Sequence, residues 1–284
     1  MSDLGRLVLL PVPLDPDQSP LEVLPPATLG HFARIDVFVV ENAKAARRFL
    51  KPLVGDRPLQ SLELVEWNAN QRRLSAEEAL EPLRHGRDIG LLSDAGCPAV
   101  ADPGADLVAA AHRLGARVVP AIGPSALLLA LMASGMGGQR FGFAGYLPSE
   151  ADARRQALRA LELRSAAGDE TILFIETPYR NEAMVEAAID VLAPDTVFMS
   201  ASGLSLPSER IVSRPIAEWR RTGSGAAGAV DRRIPAVFGL KAVALRRAGS
   251  ADPRRGTGIE SRLERRTKAG RKLRPHLSRK PLGD

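Results

Sequence analysis

A short apolar run, Asp88-Ile89-Gly90-Leu91-Leu92, is followed by a loop from Ser93 to Gly104 that holds two Gly, two Pro and two Asp. After the loop, Leu107, Val108, Ala111 and Leu114 recur at helical spacing over 105–115, and a second apolar run, Arg117 to Ala121, comes next. Strands separated by helices point to a largely parallel sheet. The loop therefore lies at the carboxyl end of a strand, where open α/β sheets bind ligands. Its Gly, Pro and Asp content suits a shaped backbone surface.

The same alternation extends in both directions. Residues 7–12, 36–41, 88–92 and 117–121 read as strands, 59–67 as an extended segment, and 27–34, 43–50 and 105–115 as helices. Ser75 and Glu78 are spaced as a capping box, which starts a helix running to Arg84. From Gly123 onward an apolar helix reaches Ser134, and strands are expected at 141–146, 171–176, 196–201, 210–213 and 235–242. Helices are expected at 151–165, 181–192 and 216–221. Strands here sit closer together, as in a mixed sheet with hairpins, and Thr222 to Ala229 reads as a Gly- and Ala-rich loop. The first half thus points to a largely parallel sheet and the second to a mixed one.

Charge separates a body from a tail. Residues 244–284 hold 13 Lys and Arg against 4 Asp and Glu, a net of +9, while 1–243 hold 26 against 29, a net of −3. Beyond Leu245 apolar periodicity stops, so this stretch is expected to be disordered, as a solvated extension or a nucleic-acid-binding arm. No segment has the uninterrupted apolar length of a membrane helix, and a single cysteine, Cys97, excludes an internal disulfide and suits the cytoplasm. Four scattered histidines offer no metal-ligand spacing. No G-x-G-x-x-G follows a strand, which argues against a nicotinamide site, and 4% aromatic content provides no base-stacking platform.

Three segments carry a family likeness: Ser93 to Gly104, Gly123-Pro124-Ser125-Ala126, and Glu176-Thr177-Pro178-Tyr179-Arg180. In this order they resemble the tetrapyrrole methylase superfamily, whose members transfer a methyl group from S-adenosylmethionine. They are most similar to members that methylate a cytidine ribose 2'-hydroxyl in 16S ribosomal RNA. The likeness runs from about Leu7 to Lys241. It implies two α/β domains, 1–122 and 123–243, with the cofactor in the cleft between them and 244–284 as the tail. It further implies a homodimer, with ribosomal RNA or the small ribosomal subunit as partner. Cofactor contacts are implied from Leu10, Pro11, Ser93, Asp94, Ala95, Gly96, Cys97, Val100, Asp102, Ser125, Ala126, Glu176, Met199, Ser200, Ala236 and Val237.

Several of these residues have two readings. Asp94 and Asp102 can face a ribose or the sulfonium, or can satisfy the turn and cap the next helix. Gly96 and Gly104 permit close backbone approach to a ligand. Gly123-Pro124-Ser125 is either an anion seat at a helix N-terminus or an ordinary cap. Glu176 is a candidate general base or the partner of Arg180. Cys97 stands where the family has Thr and is expected to pack as a small residue; Trp67 and Trp219 are expected to pack. Departures fall elsewhere. The family's P-T-P-I-G-N-L is here Pro11 to Asp17, its E-D-T-R is Glu41-Asn42-Ala43-Lys44, and its R-E-L-T-K is Ser202-Gly203-Leu204-Ser205-Leu206. Lost Arg and Glu positions leave two alternatives open: a methyltransferase for a tetrapyrrole-like or other small metabolite, and a catalytically silent cofactor-binding regulator.

Overall fold

In a computed structural model of the chain, residues 4–67, 74–222, 231 and 233–244 are described. The tail, and the expected loop after Thr222, lie outside the described residues.

The first sheet uses five short strands: β1 (Leu7–Leu9), β2 (Val37–Val40), β3 (Glu63–Glu66), β4 (Ile89–Leu91) and β5 (Val118–Pro120). All pairings are parallel, in the order β3-β2-β4-β1-β5. β1 is shorter than the apolar run 7–12 because Pro11 and Pro13 have no N–H to donate, although Leu10 N–H still reaches Leu91 O at 2.9 Å. The connecting helices are α1 (Pro20–Val23), α2 (Pro26–Phe32), α3 (Ala43–Leu50), α4 (Ala76–Ala79), α5 (Glu81–Arg84) and α6 (Ala105–Leu114). Only α1 is unforeseen.

Ser75 and Glu78 form the expected capping box. The expected single helix nonetheless breaks at Leu80 into α4 and α5, since Pro82 cannot donate to the turn before it. Strand alternation gives the sheet two apolar faces. Val8, Phe38 and Val40 pack with Phe32 and Leu50, while Leu7, Val37, Ile89 and Leu91 pack with Leu83, Leu107 and Ala110.

The second sheet comprises β6 (Phe141–Tyr146), β7 (Thr171–Glu176), β8 (Val197–Ser202), β9 (Arg210–Pro215) and β10 (Ala236–Lys241), in the order β6-β7-β10-β8-β9. Only β6 and β7 are parallel, so the sheet is mixed as expected, with β8 and β9 as a hairpin. Around it lie α7 (Ala126–Ser134), α8 (Ala151–Gly168), α9 (Asn181–Val191) and α10 (Ile216–Arg221). Phe174, Phe198 and Phe238 stack across β7, β8 and β10, and pack with Trp219 and Met184 on the face covered by α8, α9 and α10. On the other face Leu173, Met199 and Val237 meet Ala130 and Leu131 of α7. Both tryptophans are buried, with Trp219 Nε1 donating to Phe198 O at 3.0 Å.

Among the described residues, no helix is long and apolar enough to cross a membrane.

Candidate active site

Parallel order sends the loops after β1, β2, β4 and β5 to one edge of the first sheet. The carboxyl ends of β6, β7 and β8 and the start of β10 share an edge of the second, since β10 runs antiparallel to β7 and β8. These two edges enclose a cleft of about 450 Å³, within the range of small-molecule sites. Ten of the expected cofactor contacts line it: Ala95, Gly96, Cys97, Val100, Asp102, Ser125, Ala126, Glu176, Ala236 and Val237.

Six expected residues lie elsewhere. Ser93 and Asp94 line a second cavity of about 430 Å³ beside Glu41 and Arg48, so the 93–102 loop is a partition between two hollows. Leu10 is fully buried, and Pro11 supports Gly123, whose added Cβ would sit 2.3 Å from the Pro11 ring. Met199 and Ser200 are fully buried inside β8. That strand reaches the cleft only at its end, through Ala201 and Ser202.

The 93–104 loop holds its shape against backbone strain. Gly96, Ala99, Ala101 and Gly104 all have positive φ, and two of them are alanines. A non-glycine residue there costs about 1–2 kcal/mol, and such strain clusters at functional sites. Val12 N–H donates to Gly96 O at 2.9 Å, the Ser93 hydroxyl to Ala95 O at 3.2 Å, and the Cys97 thiol to Pro124 O at 3.3 Å. Gly96 faces the cleft. Gly104 instead abuts Leu91, whose Cδ2 would lie 2.9 Å from an added Cβ, so its small size serves loop packing.

Three carboxylates gather around this loop. Burial, then repulsion from Asp102 and Asp94, pushes Glu41 up to about 7. Burial, then Asp94, pushes Asp102 up to about 6, and burial raises Asp94. The Asp94 N–H points at the Glu41 carboxylate, 3.4 Å away. Neither Asp caps a helix: α6 starts at Gly104 with no side-chain cap, and neither carboxylate accepts a hydrogen bond from a described residue. The result is concentrated negative charge with no described cation paired to it, a setting that favours a positively charged ligand. Burial, then Asp102, raises the Cys97 thiol, which makes it a poor nucleophile and fits its packing role. Ser125 stands before α7 with no side-chain cap bond, leaving its hydroxyl open to the cleft. Among the described residues no cluster of His, Cys, Asp and Glu could hold a metal ion.

Glu176 ends β7 with its side chain fully buried, paired to Arg180 at 2.7 Å. Asn42, where the family has Asp, caps α3 by accepting from Lys44 N and Ala45 N, so helix capping survives that substitution.

The family of Tetrapyrrole (Corrin/Porphyrin) Methylases matches residues 27–219. The chain belongs to the tetrapyrrole methylases. Among curated relatives of this methylase, the ribosomal RNA small subunit methyltransferase I of Escherichia coli O157:H7 is 33% identical over 75% of this chain and 70% of its own length. That of Bacillus subtilis is 31% identical over 67% of this chain and 61% of its own. The crystal structure of the methyltransferase CobJ superposes with a TM-score of 0.52 at 19% identity, covering 87% of this chain and 98% of that one. The cobalt precorrin-4 methyltransferase CbiF superposes with 0.52 at 13%, covering 84% and 95%. Both support the fold alone. Membership makes this methylase a methyltransferase, with S-adenosylmethionine as the methyl donor the family implies.

Sequence reasoning left Glu41, Tyr146, Ser202 and Arg233 out of the site, although each lines one of the two cavities. Glu41 and Tyr146 carry a readable signal: each directly follows or ends a strand that pairs in parallel, the position already valued at Glu176. Ser202 and Arg233 carry none, since only the antiparallel placing of β10 beside β8 brings them to the cleft.

Proposed function

We propose that the cleft holds S-adenosylmethionine and that the acceptor is a cytidine ribose 2'-hydroxyl of small-subunit ribosomal RNA. Charge at the cleft carries the donor half of this reading: Asp102 lines the cleft, Asp94 and Glu41 flank its partition loop from the second cavity, none of the three is ion-paired to a described cation, and the donor is a sulfonium cation. Ala95 to Gly96, Cys97, Val100, Ser125, Ala236 and Val237 supply the remaining wall, backbone and small side chains suited to a flat adenosyl group. The cofactor, when bound, supplies a methyl group open to in-line displacement. The protein's share is alignment, for which holding two reactants together contributes about 7–11 kcal/mol. Glu41 suits the acceptor's proton, because a carboxyl near 7 is half ionised at neutral pH and lies beside the partition loop.

The rRNA half rests on likeness to the relatives named above. A small-metabolite acceptor is the second reading, favoured by the net −3 of residues 1–243. The exposed apolar residues Leu128 and Met132 of α7, with Phe141 and Phe143 of edge strand β6, support a homodimer. Mass spectrometry of small-subunit rRNA from cells with and without the gene tests the acceptor. One ribose methyl group lost with the gene, and restored when purified protein treats unmethylated subunits, is expected. Identical rRNA in both strains would turn the assignment to the metabolite.

A further inference from the structure

Two stretches that depart from the family's pattern, Pro11 to Asp17 and Ser202 to Leu206, meet in the structure. Gln18, directly after the first, donates from Nε2 to the Ser205 carbonyl oxygen at 2.9 Å, and the Ser205 hydroxyl donates back to Gln18 Oε1 at 3.3 Å. The two residues stand 187 positions apart: Gln18 lies in the loop after β1 of the first sheet, and Ser205 in the β8–β9 hairpin loop of the second. Each side is held ready for the other. Ser205 has a φ of +68°, unfavourable for a residue with a Cβ, and its N–H is fixed on Glu209 Oε2 at 3.0 Å. Opposite it, Asp17 N–H and Gln18 N–H both turn back to Asp15, at 2.9 Å and 3.2 Å, so 15–18 is one compact turn. The flanks of this turn are anchored. Val12 N–H bonds Gly96 O, Leu14 packs on the cluster of Ala130, Leu131 and Leu204, and Pro20 begins α1.

Leu14, Asp15 and Pro16 line the cleft from the first half of the chain, and Gly203, Leu204 and Leu206 line it from the second. Asp15 and Pro16 line the second cavity as well. We propose that the Gln18–Ser205 pair is the clasp of a gate, the turn 15–18, which swings about Leu14 to admit S-adenosylmethionine and to release its demethylated product. The inference rests on the donor reading given above. Opening parts the two runs of lining residues and, through Asp15 and Pro16, uncovers both hollows in one movement. The chemistry of the clasp suits a gate and not a fixed joint. Gln18 is half-buried and Ser205 exposed, so water replaces both neutral bonds when they break and their net worth is small. Closed, the turn screens the reacting methyl group from water; product release then waits on the clasp.

Exchange of S-adenosylhomocysteine on the full chain decides the matter. Release is followed by a chase with excess unlabelled ligand, and binding by the rate of approach to saturation. Gln18→Ala should speed release and binding alike, each about 5- to 30-fold for two lost bonds. Its Kd should stay within about 3-fold of wild type, because a gate alters passage and not the bound state. Ser205→Ala drops only the hydroxyl bond and should raise both rates by less. Adding Ser205→Ala to Gln18→Ala should change nothing more, since the hydroxyl has already lost its partner. Unchanged release in Gln18→Ala overturns the proposal. Faster release with unchanged binding, and hence a weaker Kd, also overturns it, since Gln18 would then be an ordinary ligand contact. A double variant that exceeds Gln18→Ala by the full Ser205→Ala factor overturns it as well, since the two residues would act apart. If Gln18→Ala does not fold, Ser205→Ala decides alone, and rates equal to wild type overturn the gate. Absence of any wild-type binding fails the donor reading itself, and the gate falls with it; wild-type binding with unaltered variant rates fails the gate alone.

Discussion

Lowering the pH should erase the protein's preference for the charged methyl donor over its neutral product. Asp102 titrates at about 6 and Glu41 at about 7, in both cases chiefly because burial disfavours the anion. Between pH 5 and 7 the ionised fraction therefore climbs from about 10% to about 90% for Asp102, and from about 1% to about 50% for Glu41, by simple titration. A sulfonium within about 10 Å of a carboxylate gains roughly 1.7 kcal/mol at an effective dielectric of 20. Screening at these half-exposed groups reduces that to about 1 kcal/mol each. The affinity ratio of S-adenosylmethionine to S-adenosylhomocysteine should thus widen about 5- to 10-fold from pH 5 to pH 7. The ligands' own amino groups titrate above this window. Calorimetric titration of both ligands at half-unit steps measures the ratio, and Asp102→Asn should remove the part of the rise centred near pH 6. A ratio that stays flat across the range would refute the claim that these carboxylates face the sulfonium.

Glu41→Gln should lower kcat about 10²- to 10⁴-fold, the usual worth of a general base, and abolish a wild-type rate limb rising through about pH 7; a variant with the same limb would move the proton acceptor elsewhere. Gly123→Ala, which forces a Cβ to within 2.3 Å of Pro11, should cost about 1–3 kcal/mol and several degrees of Tm in thermal denaturation; an unchanged Tm would show that Pro11 yields freely. A chain ending at Leu245 should melt within about a degree or two of the full chain, since surface changes are usually within about 0.5 kcal/mol. If ribosomal RNA is the substrate, that truncation should also flatten the salt dependence of RNA binding, because the net +9 lies in 244–284. A cooperative loss of stability would show that the tail packs on the body.

Much of the fold is legible in the chain because short-range chemistry dictates it. The apolar runs at 37–40, 89–91 and 171–175 bury residues on both faces, and only strands covered on two sides are apolar throughout. Asn42, Ser75 and Glu78 cap helices through contacts no more than three residues apart. Glu176 with Arg180 is likewise a local pair, and the Gly- and Pro-rich stretch at 93–104 announces a bent loop after a strand. What depends on pairing between distant strands is not legible. No local signal says that β10 enters between β7 and β8, yet that insertion sets Ala236 beside Glu176 and Ser202. Likewise no local signal says that Glu41 and Asp94, 53 residues apart, share one hollow, or that the 93–102 loop is a wall with a cavity on each side. The sequence by itself determined most of the elements, the Ser75 and Glu78 capping box and the chemical type of the loop, because propensity and capping act over a few residues. Only the tertiary structure decided which carboxylates repel one another and that Gln18 meets Ser205, because burial and long-range pairing are properties of the assembled sheets.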